Sequence, residues 1–575
     1  MIKEKETSFF WLFVLLCASL VWSGGYYEYS SVIIGVCIAV FLIVFRRKRL
    51  EKTAFENYMV FSAIIAFMYW ISSIYAVDCG MAMTGAAKKS VIFLFALALA
   101  VTEQEQRKRI LYKLPEIAVV LTAVPAIASL AEPVRKFVFS AGRFCGTFGY
   151  ANTYALFALL ALLVLLETWK QRAVWKDVAM LLGFLAGLWF SGSRYTWVLA
   201  FVALIAFALA QKGIRKYVCA VLGILLALTV CAGTVFRQTE AMGRLFTTNF
   251  STLYGRLLYW QDGLSLAIKH PFGMGYLGYY YKQNEIQTGV YTVRYVHNDL
   301  LQWVLDIGWI PAIVLLLIII LAICNKKRPF LEKLLLSVIL LHSMMEFDLE
   351  HTGMAFLLVL VLSCSKEAVF RKNCVFGKTD SSEKPGGLQK AGISGKICMA
   401  LSVLIGCVCL YFAVPLSLYA AEKTKTAVQW YPVYTDAQLA NLSLEKDNDK
   451  ADRLADKILG QNDTAFLAYD AKAQVAFNQN RFSDMVRYKK KAIARNKFDA
   501  AEYNDYLVML NEILSYAIEN GDEELAMEMA GDMQELLTII EDNKKTVSPL
   551  GKKIDDKVEI DFPKDITEEI RNLGG

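Results

Sequence analysis

Residues 298–324 read NDLLQWVLDIGWIPAIVLLLIIILAIC, and Lys326, Lys327 and Arg328 follow at once. A helix over these residues is long enough to cross a hydrocarbon layer roughly 30 Å thick, and a basic cluster at its end is what a cytoplasmic flank carries. The same alternation of apolar run and basic cluster extends outward in both directions. Runs near 8–24, 29–45, 57–76, 88–102, 110–130, 149–167, 177–191, 194–210, 216–235, 331–347, 352–366 and 396–420 join 298–324 as predicted membrane helices. With 56% hydrophobic and 20% charged residues in 575, the chain is too apolar for a string of soluble domains. The predicted fold class is all-α: a polytopic transmembrane domain of about 12–13 spans, followed by a soluble helical-repeat domain.

Charge placement orients the spans. Starting inside, even-numbered crossings return to Arg46–Arg49, Arg107–Arg109, Lys170–Lys176, Lys212–Lys216, Lys326–Arg328 and the Lys-rich stretch 366–396. The first run has a basic flank like a signal peptide. More spans follow it and no small-x-small cleavage site does, so it reads as a retained anchor. The predicted organisation is a membrane domain over 1–366 with an external loop at 237–298, a cytoplasmic linker at 367–396 and a final span at 397–420. Beyond these come external helical repeats at 421–545 and a tail at 546–575. The expected location is the cell membrane, multi-pass, with the C-terminal domain extracytoplasmic. The net charge of +7 reflects the basic cytoplasmic loops, so nucleic acid is not an expected partner. Residues 421–575 contain no cysteine, which excludes a disulfide scaffold there.

Within 421–545, Ala451, Leu454, Ile458, Leu459 and Asn462 recur 34 residues later as Met485, Tyr488, Ala492, Ile493 and Asn496. That period, with Ala473 and Ala492 at close-packing positions and Asn480-Arg481-Phe482 at a turn, resembles the tetratricopeptide repeat. The usual proline near the end of a unit is Lys497 here, and an ordinary helical bundle is the alternative. Either arrangement suits binding an acceptor or an envelope protein better than catalysis.

The external loop is rich in cations: Arg237, Arg244, Arg256, Lys269, Lys282 and Arg294 stand against Glu240, Asp262 and Glu285. Arg143 and Arg194 add two more at the same predicted face. Their convergence favours a phosphate-type ligand, which guanidinium groups bind through paired hydrogen bonds. His297 then stands at the mouth of the 298–324 helix. Asn298, Gln302 and Asp306 recur every fourth residue on one face of it, and such a stripe is expected to line a polar pocket.

Arg143-Phe-Cys-Gly-Thr-Phe-Gly-Tyr-Ala-Asn152, Ser191-Gly-Ser-Arg194-Tyr-Thr-Trp197, Gly255-Arg256 with Trp260, Pro271-Phe-Gly-Met-Gly275 and His297-Asn298 ahead of Gly308 occur in that order. Together they resemble the O-antigen ligase and polymerase superfamily, over roughly residues 1–366 and most strongly over 140–310. His342-Ser-Met-Met-Glu346 is similar to a family His-Ser-x-x-Asp element, with Glu in place of Asp. The resemblance implies a glycosyltransferase, independent of metal and of any cofactor, that moves a polyprenyl-diphosphate-linked oligosaccharide to an acceptor hydroxyl. The acceptor is a glycan, a lipid or a protein, and membrane lipids are further partners. His297 is the expected base, Arg256 and Arg194 the groups that stabilise the leaving diphosphate, and Arg143, Asn152, Asn298, Gln302, Asp306 and Arg294 the binding residues.

Three rival readings stand beside it. A metal site could draw on His297 and Asp299, or on Glu346, Asp348 and His351, although no strong ligand spacing is present. A transporter or flippase of lipid-linked glycans would also use a cationic pocket, but it often shows two similar halves, and no internal repeat is visible in the membrane part. A membrane scaffold recruiting envelope partners would leave the arginines and the polar stripe without a purpose.

Overall fold

The computed structural model describes residues 2–45, 56–169, 171–234, 250–365 and 391–573. Arg46–Arg49, Lys170, Arg237, Glu240, Arg244 and all but the last residues of the predicted 367–396 linker lie outside the described residues. The described chain is 77% helix and 1% strand. Its first part comprises α1 (Ile2–Val21), α2 (Glu28–Val40), α3 (Asn57–Ser72), α4 (Cys79–Ala100), α5 (Gln104–Tyr112), α6 (Leu114–Ala128) and α7 (Glu132–Val138). A small antiparallel hairpin, β1 (Phe139–Ser140) and β2 (Arg143–Phe144), leads into α8 (Ala151–Glu167), α9 (Val174–Ser191), α10 (Arg194–Ala210) and α11 (Arg215–Thr234). Next come α12 (Ser251–Lys269), α13 (Gly278–Ile286), α14 (Asp299–Ile307), α15 (Trp309–Cys324), α16 (Phe330–Ser343), α17 (Thr352–Ser363) and α18 (Ala391–Ala420). The C-terminal part holds α19 (Thr424–Trp430), α20 (Thr435–Leu442), α21 (Asn448–Leu459), α22 (Phe466–Asn478), α23 (Phe482–Arg495), α24 (Ala500–Asn520), α25 (Glu523–Lys545) and α26 (Lys564–Asn572).

Among the described residues, four segments are long and apolar enough to cross a membrane by length and composition: Cys79–Ala100, Gln104–Ala128, Val174–Ser191 and Gly395–Ala420. Shorter apolar helices, among them Ala151–Glu167, Trp309–Cys324 and Thr352–Ser363, pack around them. α4 is the central helix, buried over nearly its whole length.

Three predicted elements differ in the structure. The span 298–324 is two helices, because Gly308 turns to φ +90° between α14 and α15. A Cβ at Gly308 would meet the Phe272 backbone at 2.7 Å. The Pro271–Gly275 segment fills the break: Met274 N donates to Leu305 O at 2.7 Å, Gly275 N to Asp306 O at 3.0 Å, and Trp309 N to Pro271 O at 3.1 Å. Carbonyls orphaned at the end of α14 are thereby satisfied. The predicted span 88–102 begins earlier, at Cys79, where the Asp78 side chain caps the helix by accepting from Met81 N at 2.8 Å. Lys88 and Lys89 thus fall mid-helix, buried, where Lys89 Nζ meets Glu350 Oε1 at 2.6 Å and Lys88 Nζ donates to Tyr26 O at 2.6 Å. Finally, the loop 237–298 carries the helices α12 and α13.

The connections gather in two sets. At one end Thr147 Oγ1 donates to Leu20 O at 2.8 Å, Arg143 Nε to Ser191 O at 2.6 Å and Tyr431 OH to Gly80 O at 2.8 Å. At the other, Gln104 Nε2 donates to Cys364 O at 2.6 Å, Arg107 Nη1 to Ser363 O at 3.2 Å and Arg328 Nη1 to Val361 O at 2.9 Å.

The C-terminal helices lie on the first of these ends. α21 and α23 start 34 residues apart, at 448 and 482, as do α22 and α24, at 466 and 500. Asn462 and Asn496, the matched polar positions, are both buried at the turns that follow α21 and α23. Asn462 Nδ2 also donates to Asp78 Oδ2 at 3.1 Å, and Tyr281 OH to Asp436 Oδ1 at 2.9 Å. Residues 546–573 are packed rather than trailing: Ile560, Phe562 and Ile570 join the core formed by α23–α25. Ser548 N donates to Thr288 O at 2.9 Å and Asp555 N to Ser251 Oγ at 2.7 Å, which fastens this segment to both sides of the α12 region.

Candidate active site

Arg256 lies in the second turn of α12, and His297 stands just before α14. Asn298 caps that helix, its Oδ1 accepting from Leu300 N at 3.1 Å and Leu301 N at 3.0 Å. With Asn298 so fixed, His297 takes φ +52°, an uncommon conformation for a side chain of its size, and its carbonyl accepts from Trp260 Nε1 at 3.2 Å. The backbone on both sides of the imidazole is therefore held by hydrogen bonds.

These two residues meet at Glu346, in the turn that links α16 to α17. Glu346 is 1% exposed. Its Oε1 pairs with Arg256 and accepts from Asn152 Nδ2 at 2.5 Å; its Oε2 accepts from Tyr150 OH at 2.7 Å and faces His297 Nδ1 at 3.3 Å. Arg143 extends the chain of contacts, bonding to Asn152 Oδ1 through Nη2 and to Ser191 O through Nε. The turn itself is tied to α14: Asp299 N donates to Glu346 O at 3.2 Å and Leu349 N to Asp299 Oδ2 at 3.0 Å. Burial alone would raise the Glu346 carboxyl, but Arg256 first and His297 next overcome it and draw it from 4.5 down to about 2. The same pairing raises the Arg256 guanidinium against its own desolvation. The result is a fixed carboxylate with a cation on one oxygen and an imidazole near the other. Aromatic rings wall it in, the Phe347 and Tyr259 centroids lying 4.8 and 5.9 Å from that of His297.

Behind this cluster stands a second, buried one. His342 Nδ1 lies 2.5 Å from Asp348 Oδ2 and its Nε2 lies 2.8 Å from Thr196 Oγ1, while Thr153 Oγ1 donates to Asp348 Oδ1 at 2.8 Å. Arg194 opens α10 two residues before Thr196 and is half-buried.

The remaining predicted residues are placed differently. Gln302 and Asp306 are buried and turned toward protein partners rather than an open pocket. Gln302 Oε1 accepts from Val296 N at 3.0 Å, Gln302 Nε2 donates to Asp306 Oδ1 at 2.8 Å, and Tyr69 OH donates to Asp306 Oδ2 at 2.8 Å. With Asn298 they brace the chain on either side of His297. Arg294 belongs to a separate network, its Nη2 pairing with Glu28 Oε1 at 2.9 Å. Among the described residues no group of three or more His, Cys, Asp or Glu is placed to hold a metal ion. Glu346, Tyr150 and Trp260 were missing from the predicted site. Their signals were present in the His342–Glu346 element, the Tyr150-Ala-Asn152 triplet and the Trp260 noted beside Arg256.

The apolar helices and the charged cluster among their connections are those of a helical membrane protein. A family model described as O-Antigen ligase matches residues 178–317. That segment contains Arg194, Arg256, Arg294, His297, Asn298, Gln302 and Asp306, and it stops short of Glu346. No curated protein and no solved structure matches the chain. The match supports a relationship to the O-antigen ligase superfamily and, at a coarse level, suggests glycosyl transfer in the cell envelope.

Proposed function

We propose that the chain transfers an oligosaccharide from a polyprenyl diphosphate to an acceptor hydroxyl, without a metal. The observation that carries this reading is the convergence of Arg256 and His297 on one buried carboxylate, with both residues inside the segment similar to O-antigen ligase. A neutral imidazole with its proton on Nδ1 donates to Glu346 and presents Nε2 to the acceptor hydroxyl. The acceptor oxygen bonds to the anomeric carbon as that carbon's bond to the phosphate oxygen breaks. The hydroxyl proton passes to Nε2, and the bonding electrons leave with the diphosphate. Arg256, with Arg194 and Arg143 near the same end, offsets the charge that develops there. Glu346 orients both the base and the cation, and so acts as a positioning residue.

The helices 448–520, with their 34-residue spacing, form tetratricopeptide-like hairpins in this reading, on the extracytoplasmic side, and hold an acceptor or an envelope protein. The experiment is incubation of purified protein with a polyprenyl-diphosphate glycan and candidate glycan, lipid or protein acceptors. Lengthened glycan marks a polymerase and a new conjugate marks a ligase; unchanged donor throughout overturns the proposal.

A further inference from the structure

At the end of the bundle away from Glu346, a cavity of about 400 Å³ opens between α5, the start of α6 and the connection from α8 to α9. Among the described residues its charged lining is Lys108, Arg109, Lys113 and Arg172 with Glu105 and Glu116, and two buried carboxylates stand behind the cations, Asp177 at 3.5 Å from Arg172 and Glu332 at 3.9 Å from Lys108. The rim is built. Arg172 Nε donates to Glu116 Oε1 at 2.7 Å and Lys113 Nζ lies 3.1 Å from the same oxygen, so one carboxylate holds two cations in place. Arg172 Nη1 also donates to Thr168 Oγ1 at 3.0 Å. Across the cavity Arg109 lies over the Phe9 ring, 4.3 Å from its centroid, and Lys108 is 3.9 Å from Glu332.

What leaves the cavity identifies its occupant. Glu116, Val120, Val124 and Ile127 follow the capping residue Lys113 at intervals of three and four along α6 and therefore continue one face. Lys113 and Glu116 line the cavity and the last three are exposed. On α9, Trp175, Val178 and Leu182 form a second exposed stripe with the same spacing. α6 and α9 touch between these stripes, where a Cβ on Gly183 would lie 3.9 Å from Val119 Cγ2. Trp175, with Lys176 5.4 Å from its ring, has the composition of a residue at headgroup depth. Two apolar stripes thus run side by side from a cationic cavity.

We infer that this is a binding site for an anionic glycerophospholipid, with its phosphate headgroup in the cavity and its acyl chains along the α6–α9 stripes. A soluble phosphate would gain nothing from the stripes, and a zwitterionic lipid would bring an ammonium against half-buried Lys108 and exposed Lys113 at the rim.

The test is native mass spectrometry of the full chain in neutral detergent, titrated with phosphatidylglycerol or phosphatidylcholine. The wild type should retain phosphatidylglycerol roughly tenfold better. Lys108→Gln/Lys113→Gln should bring the two lipids close to parity, Lys108→Arg/Lys113→Arg should keep the preference, and Val124→Gln should weaken both lipids. Equal retention of the two lipids by the wild type overturns the assignment. So does displacement of phosphatidylglycerol by millimolar inorganic phosphate, which marks a free-anion site, or by equimolar polyprenyl phosphate, which marks a site for the carrier lipid. The wild-type titrations decide the matter even if the glutamine variant fails to fold.

Discussion

Oε2 of Glu346 lies 3.3 Å from Nδ1 of His297, across the gap between two connections that are 49 residues apart in sequence. In the proposed mechanism a buried carboxylate in that position selects the tautomer with Nδ1 protonated and steadies the imidazolium that forms when Nε2 takes a proton. Under that mechanism Glu346→Gln should lower turnover by about 10–100-fold, because an uncharged amide supports the imidazolium less. Donor affinity should change little. Single-turnover rates with a donor-binding measurement test this; normal turnover in the variant would separate Glu346 from the chemistry.

Acid should also uncouple this carboxylate from the fold. Its native value of about 2 lies below its ordinary 4.5, so the stability it contributes is fully present above 4.5 and is lost as the pH falls through 4.5 toward 2. Thermal unfolding in detergent should show the wild type more stable than Glu346→Gln at pH 7, with the difference shrinking below 4.5. A difference that stays constant to pH 3 would contradict the assigned ionisation.

His297→Ala removes the base but leaves the cations, so donor binding should persist while turnover drops by roughly 10²–10⁴-fold. Comparable folding has to be established first, because His297 also fixes an unusual backbone angle. His297→Asn is the control for that angle, as Asn tolerates the left-handed region well. Wild-type turnover in either variant, with chemistry rate-limiting, removes the general-base role.

Arg256→Ala and Arg194→Ala should lower turnover and donor affinity together, and Lys at either position should restore only part of the loss because it lacks the planar fork. Arg256→Lys should recover less than Arg194→Lys, since Arg256 must also satisfy Glu346. Full rescue by Lys at position 256 would show that charge alone matters there.

Gly551 packs against the 288–289 turn so tightly that an added Cβ would meet Thr288 O at 2.2 Å. Gly551→Val should lift the 546–555 segment from the α12 region, increase protease cleavage near residue 550 and reduce turnover severalfold, with the apolar helices unchanged. Unaltered cleavage and activity would mean that this contact is dispensable.

The helical layout was legible because apolar runs bounded by basic clusters are a local signal. What escaped was non-local. The break at Gly308 depends on backbone donors from residues 271–275, and nothing within 298–324 announces them. Lys88 and Lys89 read as a helix boundary because their counter-ion, Glu350, comes from 261 residues further along the chain. The spacing of Asn298, Gln302 and Asp306 reads as one helical face, but it could not distinguish a face that lines a cavity from a cap at Asn298 followed by side chains that hydrogen-bond to Tyr69 and the Val296 backbone. Arg143, Asn152, Arg256 and His297 were each picked from the sequence. Glu346, the acidic residue that joins them, was read as a motif position and as a candidate metal ligand, not as their shared partner.

Because the 546–555 segment grips both Thr288 and Ser251, the C-terminal helices and the helix that carries Arg256 form one mechanical unit. If changing that grip alters donor affinity at the proposed site, the coupling must run equally in reverse. A partner seated on the C-terminal helices would thus bind the donor-loaded protein and the empty protein with different strengths, by the same factor with which it changes donor affinity. Acceptor selection and donor loading would then be linked steps of the proposed transfer, with the C-terminal helices reporting whether the donor site is filled.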